Sequence, residues 1–219
     1  GAKAYTVINI TQKPGSVKRG ATTFYQFGRK DAFPGVAKAD LASNSHFTEN
    51  AGGNMSIENG IQHPDNFYTW SPSWNSAPPT GYSYYNLWSA DNIVTGTYNV
   101  GNDNPVVKTV YDPCPVGFKM PASNAFSNFI ASNIVDTYNN RWKFYADFGH
   151  HFWTNTTKAA TIFFPATGIR NMSYGENGYY WAAIPSEWRY GHRLEFSWGF
   201  VNTEASERQN TFAVRPVTE

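Results

Sequence analysis

Charge is scarce in this chain. Only 15% of its 219 residues are Asp, Glu, Lys or Arg, split 16 acidic to 17 basic, for a formal net charge of +1. A disordered segment combines few aromatics with a large net charge, so that class is excluded. A nucleic-acid binder ordinarily carries a basic excess or stripe, and no Lys/Arg run is present. Ala, Glu, Lys, Leu and Arg are too few for a coiled coil or long-helix bundle. No run of about 18 apolar residues exists, so no transmembrane helix is expected. Cys114 is the one cysteine. That rules out an intrachain disulfide and is compatible with the cytosol or with an exported bacterial protein that never used disulfides. The start, Gly1-Ala2-Lys3-Ala4-Tyr5, has neither an initiator Met nor an apolar signal-peptide core, as expected of a mature form or an excised domain.

What is abundant is aromatic and amide. The chain holds 8 Trp, 14 Tyr and 16 Phe, and 22 Asn. Its length suits one domain over residues 1–219, large enough to bury a core without staples. Val7-Ile8-Asn9-Ile10 reads as a short strand. Ala21 to Arg29 reads as a short helix, with Thr22 or Thr23 as cap and Phe24, Tyr25 and Gly28 on one stripe. Val106 to Tyr111 is a strand candidate. A second helix starts near Pro121 with Ser123 as N-cap, and Phe126, Phe129, Ile130 and Ile134 recur at helical spacing. From Trp142 the pattern is β: Trp142, Phe144, Ala146 and Phe148 alternate. Further strands are expected at Thr161–Phe164, Tyr179–Ala183, Leu194–Trp198 and Phe212–Arg215. Two short helices with a mostly antiparallel sheet make the class α+β.

Residues 67–88 fit neither period. They hold eight aromatics and three prolines, and read as a long ordered loop, a kind of segment that is usually functional or disordered. The aromatic load argues for order. Trp70, Trp74, Tyr82, Tyr84 and Tyr85 are candidate ligand contacts, since aromatic faces offer large area at low entropy cost. Trp88 is expected in the core. A second candidate group, Trp188, Tyr190, His192 and Arg193, is expected on a loop between strands.

Other constellations favour bland readings. Cys114, between Pro113 and Pro115, reads as a buried small residue in a rigid turn. His150 and His151 are adjacent on a strand and point to opposite faces, which does not make a metal site. Asp91, Asp103 and Asp112 supply oxygen ligands of the kind calcium prefers, but Asn/Asp/Gly/Pro clusters are ordinary turn chemistry. Glu176, Glu187, Glu195, Glu204 and Glu207 show no spacing that marks a catalytic pair. No cofactor, no metal site and no enzymatic activity is expected.

Five blocks together carry a family resemblance. They are YQFGRKDAFPG from Tyr25, KTVYDPCPVGFKMP from Lys108, FPATGIR ending at Arg170, YWAA from Tyr180, and AVRPV from Ala213. Over roughly residues 20–217 the chain resembles the major paralogous domain family named after Fibrobacter succinogenes. Phe27, Ala32 and Phe118 depart from the family's usual Trp, Pro and Trp/Tyr. The resemblance implies a C-type-lectin-like fold, related to formylglycine-generating enzyme, in which the two chain ends meet in one sheet. It also implies the C-terminal part of a longer surface lipoprotein or fimbria-associated protein of a Bacteroidetes-type bacterium, anchored to the outer membrane through a region outside this chain. The expected function is extracellular adhesion: non-enzymatic binding of a glycan or a surface or fimbrial protein. The alternatives are a structural module of pilus assembly and a divergent hydrolase.

Overall fold

The computed structural model describes residues 23–34, 48–49, 62–64, 66–68, 87–90, 104–135, 140–169, 175–186 and 190–219. Val7–Ile10, Trp70, Trp74, Tyr82, Tyr84, Tyr85, Asp91, Asp103 and Trp188 lie outside them. Among the described residues the architecture is mostly antiparallel sheet, with one α-helix and two short 3-10 turns.

The strands in chain order are β1 (Thr23–Gln26), β2 (Phe33–Pro34), β3 (Thr48–Glu49), β4 (Asn66–Phe67), β5 (Phe118–Lys119), β6 (Gly149–Trp153), β7 (Thr161–Pro165), β8 (Asn177–Ser186), β9 (Tyr190–Ser197), β10 (Phe200–Glu207), β11 (Thr211–Phe212) and β12 (Val217–Thr218). The backbone of the fold is the antiparallel meander β8-β9-β10. A second sheet runs β11-β1-β2, so the first described strand pairs with one near the C-terminus. β12 pairs with β5, β6 with β7, and β3 runs parallel to β4.

β8 explains why Tyr180-Trp181-Ala182-Ala183-Ile184 is a continuous apolar run. Successive strand side chains point to opposite faces, and both faces of β8 are buried. Tyr180, Ala182 and Ile184 enter one core with Phe144, Phe152, Phe164, Leu194 and Phe196. Trp181 and Ala183 enter a second with Phe27, Leu87, Trp88, Met120 and Phe212. Phe27 lies 4.5 Å from Trp88 and 5.4 Å from Trp181, centre to centre, and Trp88 proves to be fully buried. The indole N–H groups are satisfied: Trp181 donates to the Tyr25 carbonyl at 2.8 Å and Trp88 to that of Arg29 at 3.3 Å. β8 also joins the two sheets, because Trp181 N donates to the Ala213 carbonyl and Ala213 N to that of Tyr179.

Four local expectations are corrected. The helix expected over Ala21–Arg29 is β1 followed by a turn: Phe24 and Gln26 alternate inward, and Gln26 Nε2 donates to the Tyr68 and Gln209 carbonyls at 2.7 and 2.8 Å. Long-range bonds of this kind override a helical stripe. The helix expected after Ser123 is two 3-10 turns, Ser123–Phe126 and Ala131–Asn133, each entered from an extended residue without a side-chain cap. A 3-10 turn has three residues per turn, so the apolar spacing still carries Phe126, Phe129 and Ile134 to the first core.

The one α-helix, Arg141–Asp147, falls where alternation predicts a strand. Asn140 caps it by accepting from Lys143 N at 3.1 Å, and Lys143 pairs with Asp147 at 2.9 Å. Only Phe144 of the helix is buried. The alternation of Trp142 and Ala146 with Lys143 and Tyr145 therefore marks no core face. Val106–Tyr111 forms no strand either: it makes one isolated bridge, Ser89 to Lys108.

Candidate functional site

Of the sequence-derived candidates, Tyr190, His192 and Arg193 are described, and they lie on β9 rather than on a loop. Tyr190 opens the strand half-buried, and its carbonyl accepts from Arg208 Nε at 3.0 Å. His192 is 1% exposed and sits opposite Ala205 in the register. Its side chain is turned into the protein, which removes it from any surface contact.

Arg193 lies on the other face of β9. There it is the hub of a polar cluster at the edge of the second core. Its Nη1 donates to the Ala205 carbonyl at 2.6 Å, and its Nη2 pairs with Glu195 and, at 3.7 Å, with Glu204. The guanidinium also lies over the Tyr179 and Phe212 rings. Register produces this set, because Tyr179 is opposite Glu195 and Glu204 is opposite Arg193. Burial, and then the Glu195 charge, push the Tyr179 phenol up to about 12. Two carboxylates thus converge, but on a cation that holds both. That is the chemistry of a structural ion-pair network, not of a free acid and base.

Asp112, the one aspartate among the calcium candidates that is described, is also committed. Its carboxylate accepts from Cys114 N at 2.7 Å and Met120 N at 2.9 Å. Cys114 is buried in that turn. Burial, reinforced by Asp112, raises its thiol pKa, which disfavours the thiolate. His150 is buried and its Nε2 meets the Ser197 carbonyl at 2.9 Å, whereas His151 faces Asp147. Among the described residues no group of three or more His, Cys, Asp or Glu is placed to hold a metal ion.

A different surface stands out. Trp142, on the helix, is 88% exposed, and Trp198, in the β9–β10 turn, is 37% exposed. Arg141 lies between these elements, its Cζ 5.5 Å from the Tyr145 ring centre and 5.7 Å from that of Trp198. Phe144 anchors this helix, its ring 4.7 Å from His150 and 6.4 Å from Phe196. The turn is fixed by a bond from Gly199 N to Ser197 Oγ at 3.2 Å. The aromatic and cationic groups therefore project from anchored elements. Sequence reading missed them because it placed Trp142 and Trp198 on strand faces. The available signal was Asn140 as a cap, followed by the Lys143 and Asp147 pair at helical spacing.

Other exposed apolar side chains are Val116 at 96%, Val110 at 63% and Phe118, on β5, at 42%. No helix among the described residues is long and apolar enough to cross a membrane.

No curated protein and no solved structure matches the chain. Residues 149–217 match the family model described as a domain of unknown function, DUF8237, which runs from the first residue of β6 to the first residue of β12.

Proposed function

We propose that this chain is a non-enzymatic recognition module of a bacterial cell surface, C-type-lectin-like in fold, that binds glycans through exposed aromatic side chains. The carrying observation is Trp142, an 88% exposed indole held on a capped helix whose Arg141 lies over the Trp198 ring. An exposed tryptophan on a rigid element is costly to keep in water and suited to stacking on a sugar ring. The fold assignment draws on the pairing of β1 with β11, which brings distant parts of the chain into one sheet, and on the signature blocks that fill the core around Phe27 and Trp181. The engagement of Cys114, Asp112, Glu195 and Glu204 in structural bonds favours binding over catalysis.

A second reading has its own observation. The exposed Val116 and Phe118, at the short β5–β12 pair, are suited to burial against another subunit, as in a pilus-assembly module. A glycan array probed with the whole protein separates the two. Saturable signal on a defined set of glycans supports recognition. An array without signal, together with co-purification of fimbrial subunits, supports assembly and removes the lectin reading.

A further inference from the structure

We propose that the Arg141 guanidinium, clamped between the Tyr145 and Trp198 rings beside exposed Trp142, is the carboxylate-binding point for an acidic sugar. The assignment rests on the recognition reading above and names its ligand class.

Three observations carry it. Arg141 is exposed, and its contacts are with the two ring faces; among the described residues no carboxylate pairs with it. Its neighbour Lys143 is already neutralised by Asp147 at 2.9 Å. Among the described residues, Arg141 is therefore the one charged side chain of the helix with no ionic partner. That charge is also pre-positioned, because the flanking rings restrict the side chain before any ligand arrives, which lowers the entropy lost on binding. Finally, Trp198, whose ring the guanidinium lies over, is 37% exposed, and Trp142, the next residue along the helix, is 88% exposed.

A partner complementary to this arrangement has a flat apolar face and a negative group a short distance away. A uronate or sialate has both: ring C–H groups for the indole, and a planar carboxylate for the guanidinium fork. A neutral sugar leaves the cation unused. A sulfate also offers two oxygens to the fork, so sulfated glycans belong in the test as the competing class. An acidic peptide offers the carboxylate without the rigid flat face.

The test is an array on which uronate- and sialate-terminated glycans are each printed beside their neutral parent. Wild type is expected to bind at least one acidic member about tenfold more tightly than its parent, the scale of one charge-assisted hydrogen-bonded contact. Arg141→Gln, at an exposed site, should stay folded with a melting temperature lowered by only about 1–4 °C for the lost ring contact, and should lose that preference, and Arg141→Lys should restore it only in part. Binding of neutral and acidic members alike, or a preference that survives in Arg141→Gln, overturns the acidic-sugar assignment while leaving recognition standing. Arg141-dependent binding that is stronger to sulfated glycans or to a Glu-rich peptide also overturns it. An array with no bound glycan removes the recognition reading itself.

Discussion

The Arg141 guanidinium lies 5.7 Å from the centre of the Trp198 ring, tying the first turn of the helix to the β9–β10 turn. An exposed contact of this type is worth about 0.5–1 kcal/mol. Trp198→Ala and Arg141→Ala are each expected to lower unfolding stability by about that amount. Because each removes the same contact, the double variant should cost less than the sum. Urea unfolding of the four proteins measures this, and strict additivity would show that the two groups do not interact in solution.

Trp181 sits at the other extreme. It is fully buried among Phe27, Trp88 and Phe212, and its indole N–H bonds to the Tyr25 carbonyl. Trp181→Ala leaves a cavity between the two sheets and removes the bond to that carbonyl, so it should cost about 3–5 kcal/mol. A loss below about 1 kcal/mol in the same urea experiment would mean that β8 does not divide two cores.

Cys114 should be silent to thiol reagents in the native protein. Its thiol is buried, with its pKa raised by burial and by the neighbouring Asp112. Ellman's reagent at pH 8 is expected to label no thiol in native protein and one in denaturant. Fast labelling of the folded form would contradict the placement of the turn.

Asp31 gives the stability a pH dependence opposite to that of a typical paired carboxylate. Burial raises its pKa and outweighs the lowering by Arg29, whose Nη2 is 3.6 Å away. The folded protein therefore holds this proton more tightly than the unfolded chain does. Its contribution is most favourable below the ordinary carboxylate value, and is lost as pH rises through the raised folded value. Asp31→Asn should be more stable than wild type above that window and indistinguishable below it. Lower stability of the variant at neutral pH would show that the Arg29 contact outweighs burial.

The later half of the fold was the more legible in sequence. Thr161–Phe164, Tyr179–Ala183 and Leu194–Phe196 are strands as their patterns predict, because there the apolar period coincides with burial. The earlier half misled. Gln26 and Arg29 look like surface residues of a helix, yet both are buried, where they bond to carbonyls of other segments, a non-local effect that no local pattern encodes. The site was harder still. His192 and Arg193 drew attention by composition, but strand register turns one inward and commits the other to Glu195 and Glu204. Trp142 escaped notice because alternation with Phe144 mimics a buried strand, whereas capping by Asn140 makes a helix with a single buried residue.

The most direct test of the account is the affinity of Trp142→Ala, set beside wild type, for the glycan that wild type binds best on the array. Trp142 is 88% exposed, so truncation should leave folding unchanged. A central stacking residue is worth about 2 kcal/mol or more. The account predicts an unaltered melting curve with a loss of affinity of about thirtyfold. An affinity equal to that of wild type would contradict it.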